Sequence, residues 1–132
     1  MSLKVLIADP DWRFSNQASA YLESHAHLVA CEGRLREAKS HAAHWRPDLV
    51  IMSVELADKG LLETVGQLDP RPAILLTGRL DRYALAWKAW QRGGDELLMK
   101  PVFKSEELHQ AIVKALENCA AGERTVRRAA TA

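Results

Sequence analysis

Residues 47–56 read PDLVIMSVEL. Within them Leu49 to Met52 form an unbroken apolar run that ends on a single hydroxyl, Ser53. A run this short, without alternation, fits a strand covered on both faces, as in a parallel sheet. In an open α/β sheet the carboxyl ends of such strands line the crevice where chemistry gathers. The other strand ends therefore decide what Ser53 stands beside.

KVLIAD (4–9), AILLT (73–77) and ELLMK (96–100) have the same character, and HLVACE (27–32) is a weaker fifth strand. Helical spacing fills the gaps. Phe14, Ala18, Tyr21 and Leu22 share one face of a first helix, and Leu35, Ala38, Ala42 and Trp45 one face of a second. A short third helix fits 59–68, weakened by Gly66, and Tyr83, Ala84, Trp87 and Trp90 mark a fourth. Leu108, Ile112, Ala115, Leu116 and Cys119 give the clearest stripe, with Ser105 as its N-cap and Glu106 and Glu107 at the positive end of the dipole. Pro47, Pro70, Pro72 and Pro101 stand at the joints, where proline is tolerated. Five strand–helix units predict a doubly wound α/β domain: a five-stranded parallel sheet flanked by five helices.

The composition narrows the class. With 132 residues, 48% hydrophobic and 27% charged, the chain can bury one real core. A net charge of +1 creates no global field to recruit nucleic acid or an anionic membrane. No apolar run approaches the ~20 residues of a membrane span, and the N-terminal apolar stretch is too short for a signal peptide. Cys31 and Cys119 lack metal-type spacing and are expected as buried thiols in a reducing cytoplasm. The expectation is a cytoplasmic domain over 1–121. A small polar tail over 122–132 follows it, or the start of a linker to an output domain.

At the strand ends the sequence places Asp9-Pro10-Asp11, Ser53, Thr77 and Lys100-Pro101. Carboxylate, hydroxyl, hydroxyl and ammonium converge on one edge. On these residues, and on the segments KVLIADPD, RPDLVIMSVEL, AILLTG and GGDELLMKPV, the chain resembles the receiver domain of bacterial response regulators over roughly residues 3–120. The resemblance implies a flavodoxin-like fold and a cis peptide bond at Lys100-Pro101. It also implies signalling rather than catalysis: a receiver takes a phosphoryl group on an aspartate at the end of its third strand.

Ser53 occupies that position. A serine hydroxyl is a weak nucleophile unless a base adjoins it, so Ser53 reads as a lost phosphoacceptor. Pro10 stands where the family has a second acid that ligates Mg²⁺, which leaves Asp9 and, as a candidate substitute, Asp11. Because Mg²⁺ sites rest on one or two carboxylates plus phosphate, Mg²⁺ binding is expected to be weak or absent. Thr77 matches the switch hydroxyl and Lys100 the phosphate-contacting lysine, while the aromatic switch position is Leu97. Ala57 replaces the family's proline after the phosphoacceptor, and the chain from Ser53 to Thr77 is short. A partly buried Asp9–Lys100 pair would hold the crevice together.

His41 and His44 lie three apart on a helix but lack a third ligand nearby, so a solvated helix face is expected. Tyr83, Trp87, Trp90 and Arg92, with Ala111 on the fifth helix, form a candidate interface. The resemblance places partner docking and dimers on that face of fourth helix, fifth strand and fifth helix. The sequence thus reads as a pseudo-receiver that works through protein contacts, with neither DNA nor membrane as a direct partner. The alternatives are phosphorylation on Ser53 or Asp11, and a small-molecule ligand in the crevice between Asp9, Ser53, Thr77 and Lys100.

Overall fold

The computed structural model describes residues 2–122. It opens with β1 (Lys4–Ala8), α1 (Trp12–Ser24), β2 (Leu28–Glu32), α2 (Leu35–Trp45) and β3 (Leu49–Ser53). The helical segment α3 over 54–66 runs from a first turn Val54–Leu56 through Ala57–Leu61, where it kinks at the non-helical Gly60, into a last segment Leu62–Gly66. β4 (Ala73–Arg79) leads through a 3₁₀ turn, Leu80–Arg82, into α4 (Tyr83–Arg92). β5 (Glu96–Lys100) and α5 (Ser105–Ala121) complete the described chain. The five strands are parallel in the order β2-β1-β3-β4-β5. The expected tail lies, beyond Gly122, outside the described residues.

The period of two along each strand divides the core into two layers. Leu6, Ala8, Val50, Met52, Ile74 and Leu76 face α2, α3 and α4. Val5, Ile7, Leu49, Ile51 and Leu75 face α1 and α5. Both faces are covered, as the continuous apolar runs require. No helix among the described residues is long and apolar enough to cross a membrane.

Several expectations need correction. The third helix starts at Val54, directly after the strand, and not at 59. At α5 the N-cap is Lys104, and Ser105 is the first helical residue; the Glu107 carboxylate accepts the Lys104 amide at 3.1 Å, closing the turn. On α4 the buried residues are Ala86 and Ala89, whereas Tyr83, Ala84 and Trp87 are exposed and Trp90 packs partly against the core. The reason is steric. A Cβ placed on Gly78 of β4 would lie 3.2 Å from the Ala86 Cβ, so the helix rides close to the sheet and only small residues fit beneath it. Cys31 is exposed on the edge strand β2, and Cys119 is half-buried.

A buried ion pair absent from the sequence reading ties the amino ends of β4 and β5 to α5. Asp95 is fully buried and takes Arg71 in a fork, at 2.8 and 3.2 Å. The same carboxylate accepts the Ile74 amide at 2.8 Å, and the Asn118 side chain donates to the Asp95 carbonyl at 2.8 Å. Removing one partner strands the other charge. Asp95→Ala should therefore cost about 3–5 kcal/mol in urea unfolding; a loss below about 1 kcal/mol would show that the network contributes little.

Candidate functional site

The parallel sheet delivers the carboxyl ends of β1, β3, β4 and β5 to one edge. Asp9 follows β1, Ser53 ends β3 in register with Thr77 of β4, and Lys100 ends β5. The Lys100–Pro101 bond is cis.

Lys100 sits at the centre. Its ammonium lies 2.7 Å from Asp9 Oδ2 and 3.2 Å from Asp11 Oδ2, and 4.8 Å from the centre of the Phe14 ring, on which it rests. Both Asp9 and Lys100 are buried, while Asp11 is partly open to solvent. Each of the four carboxylate oxygens has at least one partner. Asp9 Oδ2 accepts the Thr77 hydroxyl at 3.1 Å, and Asp9 Oδ1 accepts the Asp11 amide at 2.9 Å. Asp11 Oδ1 caps α1 by accepting the Phe14 amide at 3.3 Å. Burial pushes the Asp11 carboxyl up. The Phe14 amide, the Lys100 charge and hydrogen bond, and the Arg13 amide together outweigh that and hold it below the ordinary value.

Ser53 has a different employment. It is fully buried, and its hydroxyl accepts the Leu56 amide at 3.3 Å as the N-cap of α3. Because the helix begins at Val54, the strand's last residue and the helix cap are one. Thr77 is likewise fully buried. A crevice of about 310 Å³ at this edge is lined by Asp9, Pro10, Asp11, Glu55, Arg79, Arg82 and Lys100. Neither Ser53 nor Thr77 lines it, so a ligand there would meet arginines rather than the two hydroxyls.

The donor set does not fit Mg²⁺, the cation that the resemblance implies. A divalent cation needs free carboxylate oxygens, and at Asp9 and Asp11 each is engaged by an ammonium, a hydroxyl or an amide. Pro10 offers no ligand atom. No group of three or more His, Cys, Asp or Glu side chains among the described residues is arranged to hold a metal. His41 instead pairs with Glu32 at 2.8 Å, and His44 Nδ1 hydrogen-bonds the Ser40 carbonyl.

The candidate interface is divided. Tyr83 and Trp87 are exposed. Arg92 is engaged with Asp58 at 3.5 Å and with Glu63, linking α4 to α3. Ala111 is buried in the core and leaves the surface altogether. Leu97 is half-buried against the α3–α4 layer. Sequence reasoning missed Arg79 and Arg82 at the crevice, because they lie past the strand's expected end at Thr77.

No family model matches the chain, and no curated protein matches it. Solved structures do. NtrX from Brucella abortus superposes with a TM-score of 0.81 at 20% identity, over 96% of this chain and 29% of that one. The receiver domain of NtrX alone gives 0.75 at 20% identity, over 86% of this chain and 98% of its own. The chemotaxis response regulator CheY4 of Vibrio cholerae gives 0.73 at 21%, over 88% of this chain and all of its own. The fold is the receiver fold. At these identities the likeness is one of fold, and the chain spans less than a third of full-length NtrX.

Two outcomes test the site. Asp9→Ala, which leaves a buried ammonium short of its main partner, should lower stability by about 3 kcal/mol in denaturant unfolding. An unchanged midpoint would refute the pairing. Asp11→Ala should cost about 1 kcal/mol at pH 7 as a lost helix cap. The folded carboxyl of Asp11 lies below its ordinary 3.8, so its contribution is present above that pH. The gap between wild type and variant should narrow as the pH falls through the depressed value, and a gap constant down to pH 2 would contradict the assignment.

Proposed function

We propose that the chain is an atypical receiver domain: a signalling module that works by protein contact, without conventional aspartyl phosphorylation and without enzymatic turnover. The observation that carries this reading is the state of Ser53. It stands where a receiver presents its acceptor carboxylate, yet it is buried and its oxygen caps α3. A phosphodonor has no open path to it, and a buried hydroxyl without an adjacent base is a poor nucleophile.

The Lys100 cluster supports the same reading. Mg²⁺ would have to displace an internal ammonium from two carboxylates, so binding should be weak or absent. The Thr77 hydroxyl, already donating to Asp9, is held in place, and Leu97 supplies no aromatic ring to rearrange. With its own chemistry set aside, the domain acts through its surface, on a partner protein or on an output domain in a longer parent. NtrX, of which this chain matches less than a third, provides the analogy for such a parent.

The second reading, phosphorylation at Asp11, rests on Asp11 being the one carboxylate of the cluster open to solvent. Intact mass after incubation with a small phosphodonor and Mg²⁺, followed by hydroxylamine, separates the two. The expected result is no added phosphoryl group. A hydroxylamine-labile adduct would place the acceptor at Asp11 or Asp9, and a stable adduct would point to Ser53; either overturns the proposal.

A further inference from the structure

Glu37, His41 and His44 stand at i, i+4 and i+7 on α2, so they share one side of that helix. With Ser40, Trp45 and Glu32 of the edge strand β2 they line an open cleft of about 520 Å³. None of these residues belongs to the Lys100 cluster. The sequence expectation of a solvated face without a third ligand counted neither carboxylate: Glu37 lies one turn before His41, and Glu32 is brought to it by the fold.

The hydrogen bonds of the two histidines fix where their protons sit. A carbonyl and a carboxylate only accept. His44 Nδ1, 2.8 Å from the Ser40 carbonyl, and His41 Nδ1, 2.8 Å from Glu32 Oε2, therefore each carry a hydrogen. In the neutral rings this leaves the lone pair on Nε2, and neither Nε2 has a hydrogen-bond partner among the described residues. A carboxylate behind Nδ1 orients the ring and makes Nε2 more basic, which is the arrangement that stands behind metal-ligating histidines. The Trp45 ring, edge-on to His41 at 5.3 Å, restrains the same imidazole further. Glu37 is the third group. Its carboxylate meets the Arg34 guanidinium only at 4.0 Å, in an exposed pair that costs little to break. The three are not drawn around one point in this structure, and closing the set takes a rotamer change of Glu37 away from Arg34.

We infer that His41, His44 and Glu37 form a binding site for a transition-metal dication of the zinc class. The ligands are the two Nε2 atoms and the Glu37 carboxylate, and Glu32 holds His41 from behind. Two imidazoles and one carboxylate suit Zn²⁺, with a water completing the tetrahedron. Mg²⁺ and Ca²⁺, which take oxygen ligands, are refused. The site lies on the helix layer opposite α1 and α5, and the inference goes beyond the reading of the domain as a contact module without depending on it.

The test uses the full chain, freed of metal by dialysis, and Zn²⁺ in competition with a chromophoric chelator. One Zn²⁺ should bind per chain, and millimolar Mg²⁺ should not displace it. His41→Ala, His44→Ala and Glu37→Ala should each weaken binding about tenfold or more, and so should Glu32→Gln, which removes no ligand. His109→Ala, on α5, should change nothing. None of these five side chains is buried, so the fold should survive, as circular dichroism would check. In nitrogen-15 spectra the Nε2 signals of His41 and His44 should move with Zn²⁺ while Nδ1 stays protonated. No saturable binding, binding that survives any one of the three ligand changes, or Nε2 signals that stay in place overturns the proposal. Equal weakening by His109→Ala would put the metal elsewhere and overturn it too.

Discussion

Everything at the carboxyl edge of the sheet depends on one ammonium. Lys100 Nζ lies between Asp9 and Asp11, at 2.7 and 3.2 Å, with the Phe14 ring beneath it. Burying an ammonium is costly unless partners neutralise it and its hydrogens find acceptors. Two carboxylates meet both needs. β1 and β5, which are separated in the sheet by β3 and β4, are thereby tied together at the end where a receiver opens to solvent.

The serine and the lysine are parts of one arrangement. A third carboxylate at position 53 would add a buried negative charge beside a cluster in which two acids already face a single ammonium. A serine adds none, and its hydroxyl finds a use at once. With the hydroxyl capping α3, the helix follows the strand without a loop, and the short chain between β3 and β4 is accommodated. A kink at Gly60, φ 109°, then redirects α3 before its last segment. Farther along, Arg92 joins α4 to Asp58 and Glu63 of α3, so the helix bearing the exposed aromatics is anchored on its opposite flank.

Most of the architecture was legible because parallel strands buried on both faces leave uninterrupted apolar runs, and four such runs stand in the chain. The Asp9–Lys100 pair was legible for a related reason: a lone buried lysine at a strand end requires a nearby acid. The cap role of Ser53 was not, because VEL continues the apolar texture of the strand and hides where the helix begins. The aromatics of α4 stood out as a candidate interface, but which of them faces outward was not legible. The close approach of Gly78 to Ala86 keeps Tyr83 and Trp87 out of the interior, while Trp90 packs partly against the core. The role of Asp95 was not legible, since nothing local to GGDE signals that Arg71, far away in sequence, completes it.

The proposal that an internal ammonium takes the place of a metal ion concerns Lys100 and its two carboxylates. Its most direct test follows the backbone amides of Asp9, Asp11, Ser53 and Thr77 by NMR while Mg²⁺ is titrated to millimolar concentration. The account predicts no saturable shift at these four positions, because the carboxylate oxygens are already engaged. A saturable shift centred on Asp9 and Asp11 would mean that Mg²⁺ displaces Lys100, and the central claim would fall.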